Sequence, residues 1–209
     1  MKNFTYNEAW PIKKLGDVCN FKRGLTYSKN DEADFSNNVV LRANNINLKT
    51  NTLELSELKY LQESFRIPND KKLVRGSIII CTASGSKSHL GKVALIDDDY
   101  DYAFGGFMGM LTPKKEINSR YLFYTLISDQ YKQFIHNLSN GVNINNLKFD
   151  DLKTFEVPLP PLPIQQRLIK TLDKIFEETE KLEALYNRKS TNLEELKKSV
   201  LKKAFAGEL

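Results

Sequence analysis

Four stretches of this chain combine cations, amides, hydroxyls and glycine in the manner of surfaces that hold a phosphate-bearing polymer. They are Phe21-Lys22-Arg23-Gly24-Leu25-Thr26-Tyr27-Ser28-Lys29-Asn30, Leu41-Arg42-Ala43-Asn44-Asn45-Ile46-Asn47, the run from Thr82 to Lys92, and the run from Ser139 to Asn146. Lys22, Arg23, Lys29, Arg42, Lys87 and Lys92 supply charge, and Thr26, Ser84, Ser86 and Ser88 supply hydroxyls. Tyr27 and His89 add rings, and Asn44, Asn45, Asn140, Asn143 and Asn145 add carboxamides. Lys, Arg, hydroxyls and backbone N–H groups position a DNA backbone, whereas Arg and Asn read guanine and adenine through paired hydrogen bonds. Polar, glycine-rich loops are also what ordinary turns are made of, so each loop alone carries little weight.

Sets that would perform catalysis are incomplete. In Gly85-Ser86-Lys87-Ser88-His89-Leu90-Gly91-Lys92 five residues separate the glycines where a phosphate loop needs four, and Val93 stands where Ser or Thr would hold magnesium. Gly105-Gly106-Phe107-Met108-Gly109 precedes a strand-like segment and Pro113, not the helix of a dinucleotide site. Glu57-Leu58-Lys59 has no evident acidic partner for a nuclease centre. The run Asp97-Asp98-Asp99-Tyr100-Asp101 lacks a calcium-loop glycine and reads as a solvated turn. Two histidines and two cysteines, Cys19 and Cys81, stand far apart and give neither a metal-ligand spacing nor a triad. Neither a catalytic centre, a metal site nor a cofactor site is expected.

The elements that must carry the loops follow from patterning. Asn38–Arg42, Ser77–Cys81 and Lys92–Ile96 read as strands, with weaker candidates at Asn20–Phe21, Ala103–Phe104, Gly109–Thr112 and Phe155–Pro158. Apolar residues at near-helical spacing predict a helix from Ser119, its cap, to Ile135, and a short one within Asn145–Leu152. Pro158-Leu159-Pro160-Pro161-Leu162-Pro163 excludes helix and central strand. From Ile164 to Ala206 there is neither Gly nor Pro, and Leu, Lys and Glu dominate. Alternating steps of four and three pick out Leu168, Leu172, Ile175, Thr179, Leu182, Tyr186, Lys189, Leu193, Leu196 and Val200, eight of the ten apolar or aromatic. That is a coiled-coil seam on a helix roughly 60 Å long, which reads as a helix awaiting a partner; the alternative is one that folds back on its own body. The expected fold is α+β: a strand-rich mixed domain over residues 1–157, a proline junction over 158–163, and one long helix over 164–206.

Composition narrows the class. Of 209 residues 41% are hydrophobic, enough for a core, and the net charge is +5, with the excess spread over both parts of the chain. Nucleic acid would therefore be bound by a shaped patch and not by a basic tail. No apolar run approaches the ~20 residues of a membrane span. Met1–Tyr6 precede Asn7 and Glu8 without an apolar stretch, so a signal peptide is not expected and the cytoplasm is the expected compartment.

These pieces resemble the DNA-specificity subunit of type I restriction–modification systems. The most specific carrier is Val157 through Gln165-Gln166 to Asp173, a proline-rich strand followed by a Gln-containing helix start, with Ile164 where Glu is usual. Leu196 to Leu209 resembles the family's helix ending, and Trp10-Pro11-Ile12-Lys13-Lys14-Leu15-Gly16-Asp17-Val18 its opening. Arg75–Ile80 with Ser84-Gly85-Ser86 and Leu90-Gly91-Lys92, and Tyr121–Tyr124 before Gly141 and Asn145, also fit.

The resemblance implies a non-catalytic, sequence-reading subunit. Family members usually carry two target-recognition domains and two long helices, whereas this sequence holds one of each. It therefore implies a half-subunit that reads one half of a bipartite double-stranded DNA target. Two copies would pair as a homodimer through antiparallel helices, at Leu168, Leu172, Ile175, Leu182, Tyr186, Leu193, Leu196 and Val200. It also implies docking of a modification (methyltransferase) subunit and, indirectly, a restriction subunit. S-adenosylmethionine and ATP would then belong to those partners, with no cofactor in this chain. Two alternatives remain: a recognition domain detached from a fused methyltransferase–nuclease, and a coiled-coil adaptor without a DNA role.

Overall fold

The computed structural model describes residues 10–85, 87–139 and 146–208. Among the described residues ten strands form three sheets. The central one is built on β6 (Ile78–Cys81), three β-branched isoleucines and a cysteine with every side chain buried, as a strand covered on both faces requires. It is flanked by β7 (Val93–Leu95) and β9 (Met108–Pro113), and β2 (Cys19–Arg23) pairs antiparallel with the far edge of β9. A second four-stranded sheet holds β3 (Glu32–Ala33), β5 (Lys59–Leu61), β4 (Asn38–Leu41) and β8 (Ala103–Phe104), the last two parallel.

The period-two alternation of β4 joins the two sheets. Val39 and Leu41 point into a cluster with Ile79, Cys81, Phe104 and Met110, while Val40 between them points the other way, to Leu25, Leu61 and Ala103. Each of the predicted strands is present, within a residue or two or extended. β3 and β5 come from Glu32–Ala33 and Lys59–Leu61, too short or too charged to show a pattern. The third sheet pairs β1 (Ile12–Lys14) with β10 (Glu156–Pro158), bringing the segment after Pro11 against the proline run.

The helix expected over 119–135 is two. α2 (Ser119–Leu126) follows α1 (Leu15–Val18) in chain order, and α3 (Asp129–Ser139) follows α2. The break has a local cause: Ser128 accepts the Tyr131 N–H on its hydroxyl at 3.3 Å, an N-cap that starts a new helix. The cap of α2 is Asn118, not Ser119; its Oδ1 accepts the N–H groups of Arg120 and Tyr121 at 2.9 and 3.4 Å. α4 (Phe149–Leu152) is one turn inside the expected short helix.

α5 (Leu162–Ala206) is a single helix of 45 residues, about 68 Å at ~1.5 Å per residue. It starts at Leu162, two residues ahead of the expected Ile164, because the Ile164 and Gln165 N–H groups both reach the Pro161 carbonyl. The chain divides into two compact units, residues 1–166 and 167–209, so the proline segment and the first turn of α5 go with the first unit. Gln165 explains that border. Its side chain is fully buried and makes three hydrogen bonds: Oε1 accepts the Asn118 N–H at 2.8 Å, and Nε2 donates to the carbonyls of Pro160 and Glu116 at 2.8 and 3.0 Å. The Tyr121 hydroxyl adds a bond to the Pro158 carbonyl at 2.9 Å. In the second unit, every described residue from Lys174 onward is exposed.

Candidate nucleic-acid interface

A rigid backbone frame holds the first loop. At Gly24 the end of β2 passes so close to the β8–β9 turn that a Cβ would stand 1.9 Å from the Gly105 carbonyl oxygen, which only glycine avoids. Backbone bonds fasten the crossing: Gly24 N–H to Met108 O (3.0 Å), Leu25 N–H to Phe104 O (2.7 Å) and Gly105 N–H to Leu41 O (2.8 Å). Thr26 and Tyr27 are thereby brought beside Arg42 and Asn44, which follow β4, and Ser84, which follows β6. Together with the 105–107 turn they line an open groove of about 570 Å³. Its apolar part includes Leu25, Ala43 and Met108, and Glu32, ion-paired to Lys59 at 2.6 Å, stands at its wall.

The electrostatics of the groove centre on Arg42. Its Nε is buried and, among the described residues, lacks a hydrogen-bond partner. A buried donor left unmatched is costly, and this one is enclosed by the protein and not presented to the groove. Burial holds the Tyr27 phenol above its ordinary pKa, partly offset by the nearby Arg42 charge. The phenol thus keeps its proton and can donate a hydrogen bond.

The structure separates the other predicted residues. Asn45 is corrected. It is fully buried, its Oδ1 accepts the Arg42 N–H at 2.8 Å, and its Nδ2 donates to the carbonyls of Glu54 and Glu57 at 2.9 and 2.8 Å. That carboxamide shapes the loop presenting Arg42 and Asn44; both its donors are used and it is fully buried, so a base cannot reach it. Arg23 is exposed, with its guanidinium carbon 5.0 Å from the centre of the Phe149 ring, a cation–π contact. Lys22 and Lys29 are exposed. Lys29 opens a short 3-10 turn fixed by the Ser28 N–H and hydroxyl, both donating to Asp31 Oδ2 at 2.7 Å. Ser88 and Lys92 line a different cavity of about 590 Å³, with Lys49, Lys132 and His136. There Lys92 Nζ donates to the Leu48 carbonyl at 2.8 Å, and burial lowers its pKa. Lys87 and half-buried His89 belong to a 3-10 turn between β6 and β7. Ser86, Asn140, Asn143 and Asn145 lie outside the described residues.

Phe107 also lines the groove, and the signal for it in the sequence is a large aromatic directly after Gly105-Gly106. Among the described residues no group of three or more His, Cys, Asp or Glu side chains stands in metal-binding proximity, and the acidic run is engaged in ion pairs, Arg75 to Asp99 at 3.5 Å and Lys72 to Asp101 at 2.5 Å. Among those residues no helix is long and apolar enough to cross a membrane.

The family described as type I restriction modification DNA specificity domain matches residues 7–190. The chain belongs to that family. As a specificity domain it is 29% identical over 205 residues to the type I restriction enzyme EcoKI specificity subunit of Escherichia coli K12. It is 27% identical over 204 residues to the putative type I restriction enzyme MjaX specificity subunit of Methanocaldococcus jannaschii. These alignments take in 97% and 95% of this specificity domain but 44% and 46% of the two relatives, so the chain spans about half their length. The fold has the same reach. The HsdS subunit from Thermoanaerobacter tengcongensis superposes with a TM-score of 0.67 at 19% identity, covering 100% of this chain and 48% of that one. A chain from a study of assembly and conformational transition in the type I R-M system gives 0.76 at 20% identity, again with 48% of its length matched.

Proposed function

We propose that this chain is a non-catalytic, sequence-reading subunit of a type I restriction–modification enzyme, and that it reads one half of a bipartite double-stranded DNA target. The observation that carries the reading is the groove that gathers Thr26, Tyr27, Arg42, Asn44 and Ser84 from three separate segments. Arg42 and Asn44 are the residue types that read base edges, and the hydroxyls suit phosphates. Two copies pair through antiparallel α5 helices, so that the same groove stands at each end of an inverted repeat. The exposed seam supports this: Ile175, Leu182, Tyr186, Leu193, Leu196 and Val200 are each between 43% and 65% exposed. Apolar rows of that size on a helix call for a partner. A modification subunit docks on the helix and its junction, a restriction subunit joins through it, and S-adenosylmethionine and ATP are bound by those partners.

Light scattering with gel filtration, followed by selection of duplexes from a random library, tests the reading. The expected mass is twice 24.0 kDa. The expected selected sequence is an inverted repeat around a fixed gap, bound with an affinity that falls at least ~10-fold between 50 and 200 mM salt. A monomer with an asymmetric target would overturn the two-fold arrangement, and absence of salt-dependent duplex binding would leave the adaptor reading.

A further inference from the structure

We propose that Phe107 is an apolar wedge that stacks on a base step of the duplex, beside the base pair taken by Arg42. The inference rests on the DNA-reading function above and deepens it.

The Phe107 ring is 72% exposed, yet its backbone is among the most firmly held in the groove. Its carbonyl accepts three hydrogen bonds: from the Thr82 N–H at 2.9 Å, the Ala83 N–H at 3.1 Å and the Thr82 hydroxyl at 3.0 Å. The turn is closed by Met108 N–H to Gly105 O at 2.8 Å and pinned on its other side by the Gly24 crossing. The fold therefore fixes where this ring stands while leaving its apolar surface in water, against the usual direction of burial.

Other aromatic side chains of the first unit behave differently. Phe35 is 79% exposed, but its ring lies 5.2 Å from that of Tyr60 and outside the groove. Tyr100 and Tyr102 stack on each other at 5.6 Å. Phe107 has no ring partner among the described residues, and it lines the same groove as Tyr27 and Arg42. A rigidly presented, unstacked aromatic next to a cationic fork has a fitting counterpart in a base step: one base offers a π face and its neighbour offers acceptors. Gly105 is buried and Gly106 half-buried, their Cβ directions facing Val40, Leu41 and Leu25, so the turn beneath the ring is packed onto the frame.

The test uses the full chain and the duplex that the wild type enriches from a random library. 2-Aminopurine replaces each purine of that duplex in turn, and its emission reports unstacking. The wild type is expected to raise emission at one step. Phe107→Ala should abolish that rise and weaken binding about 5- to 100-fold. Phe107→Tyr should retain both, and all variants should unfold at the wild-type temperature because the ring is exposed. Phe35→Ala serves as the control and should match the wild type. A Phe107→Ala protein with wild-type affinity and an unchanged emission profile would overturn the wedge while leaving the DNA reading intact. So would one that binds DNA normally but fails to join a modification subunit, since the ring would then be a protein contact. A wild type that enriches no sequence would overturn both.

Discussion

The two units of the chain satisfy themselves to different degrees. In the first, polar groups are matched in detail: Gln165 and Asn45 are buried and each makes three hydrogen bonds through one carboxamide. Among the described residues the one buried side-chain nitrogen or oxygen without a partner is Arg42 Nε. In the second, the backbone is satisfied by α5 itself while its large apolar side chains are not covered, from Ile175 at 47% exposure to Phe205 at 90%. A deficit of burial along a row calls for an apolar partner. The difference teaches that the first unit is closed by polar bonding within itself, whereas the second leaves apolar surface uncovered.

The contrast can be broken most severely at the crossing of β2 and the β8–β9 turn. Gly24→Val should cost about 4 kcal/mol or more, because backbone atoms occupy the space of its side chain; urea unfolding of the purified protein would show it, and a near-wild-type midpoint would refute the rigid frame. Leu182→Asp with Leu193→Asp should lower self-association at least ~100-fold by putting charge into the seam, while thermal unfolding of the first unit stays unchanged. An unaltered mass by sedimentation would sink the proposed pairing. Gln165→Ala should destabilise by about 2–3 kcal/mol, since it strands one N–H and two carbonyls in a buried place. Arg42→Lys should cost about 1–3 kcal/mol of discrimination at one base pair with the salt dependence kept, because the charge survives and the fork does not.

The smallest effect concerns alkali. Burial pushes the Cys19 thiol up to about 12 and that of Cys81 to about 11, from an ordinary 9.0. The folded state favours the neutral thiol, so this contribution is complete below pH ~9 and is lost as pH rises through the folded values. Urea midpoints should be level below pH 9 and decline from there towards 11–12, and alkylation of both thiols should require unfolding. Rapid alkylation of the native chain at pH 8 would contradict this.

The parts of the molecule legible in the sequence are those where one residue type repeats with a period. The Ile78–Ile80 strand, the proline segment and the α5 seam each announce themselves, and the Gln165-Gln166 junction was conspicuous enough to carry a family resemblance. What was hidden depends on which neighbour a polar side chain finds. Asn44 and Asn45 are adjacent and chemically identical, yet one lines the groove and the other is consumed inside its loop. Ser128 ends one helix and begins the next through one hydroxyl, which donates to the Thr125 carbonyl at 2.7 Å and accepts the Tyr131 N–H at 3.3 Å. β3 and β5 owe their existence to tertiary pairing, not to propensity. The groove combines residues far apart in sequence, and only the fold sets the aromatic after Gly105-Gly106 beside Tyr27 and Arg42.

The crossing at Gly24 has a consequence for change over generations. Its frame is made of main-chain bonds between β2, β4 and the β8–β9 turn, which any side chain on the facing positions leaves intact. Thr26, Asn44, Ser84 and Phe107 can therefore be exchanged without redrawing the scaffold, while Gly24 cannot. Single substitutions at those positions would change the groove lining while the main-chain frame stays as it is.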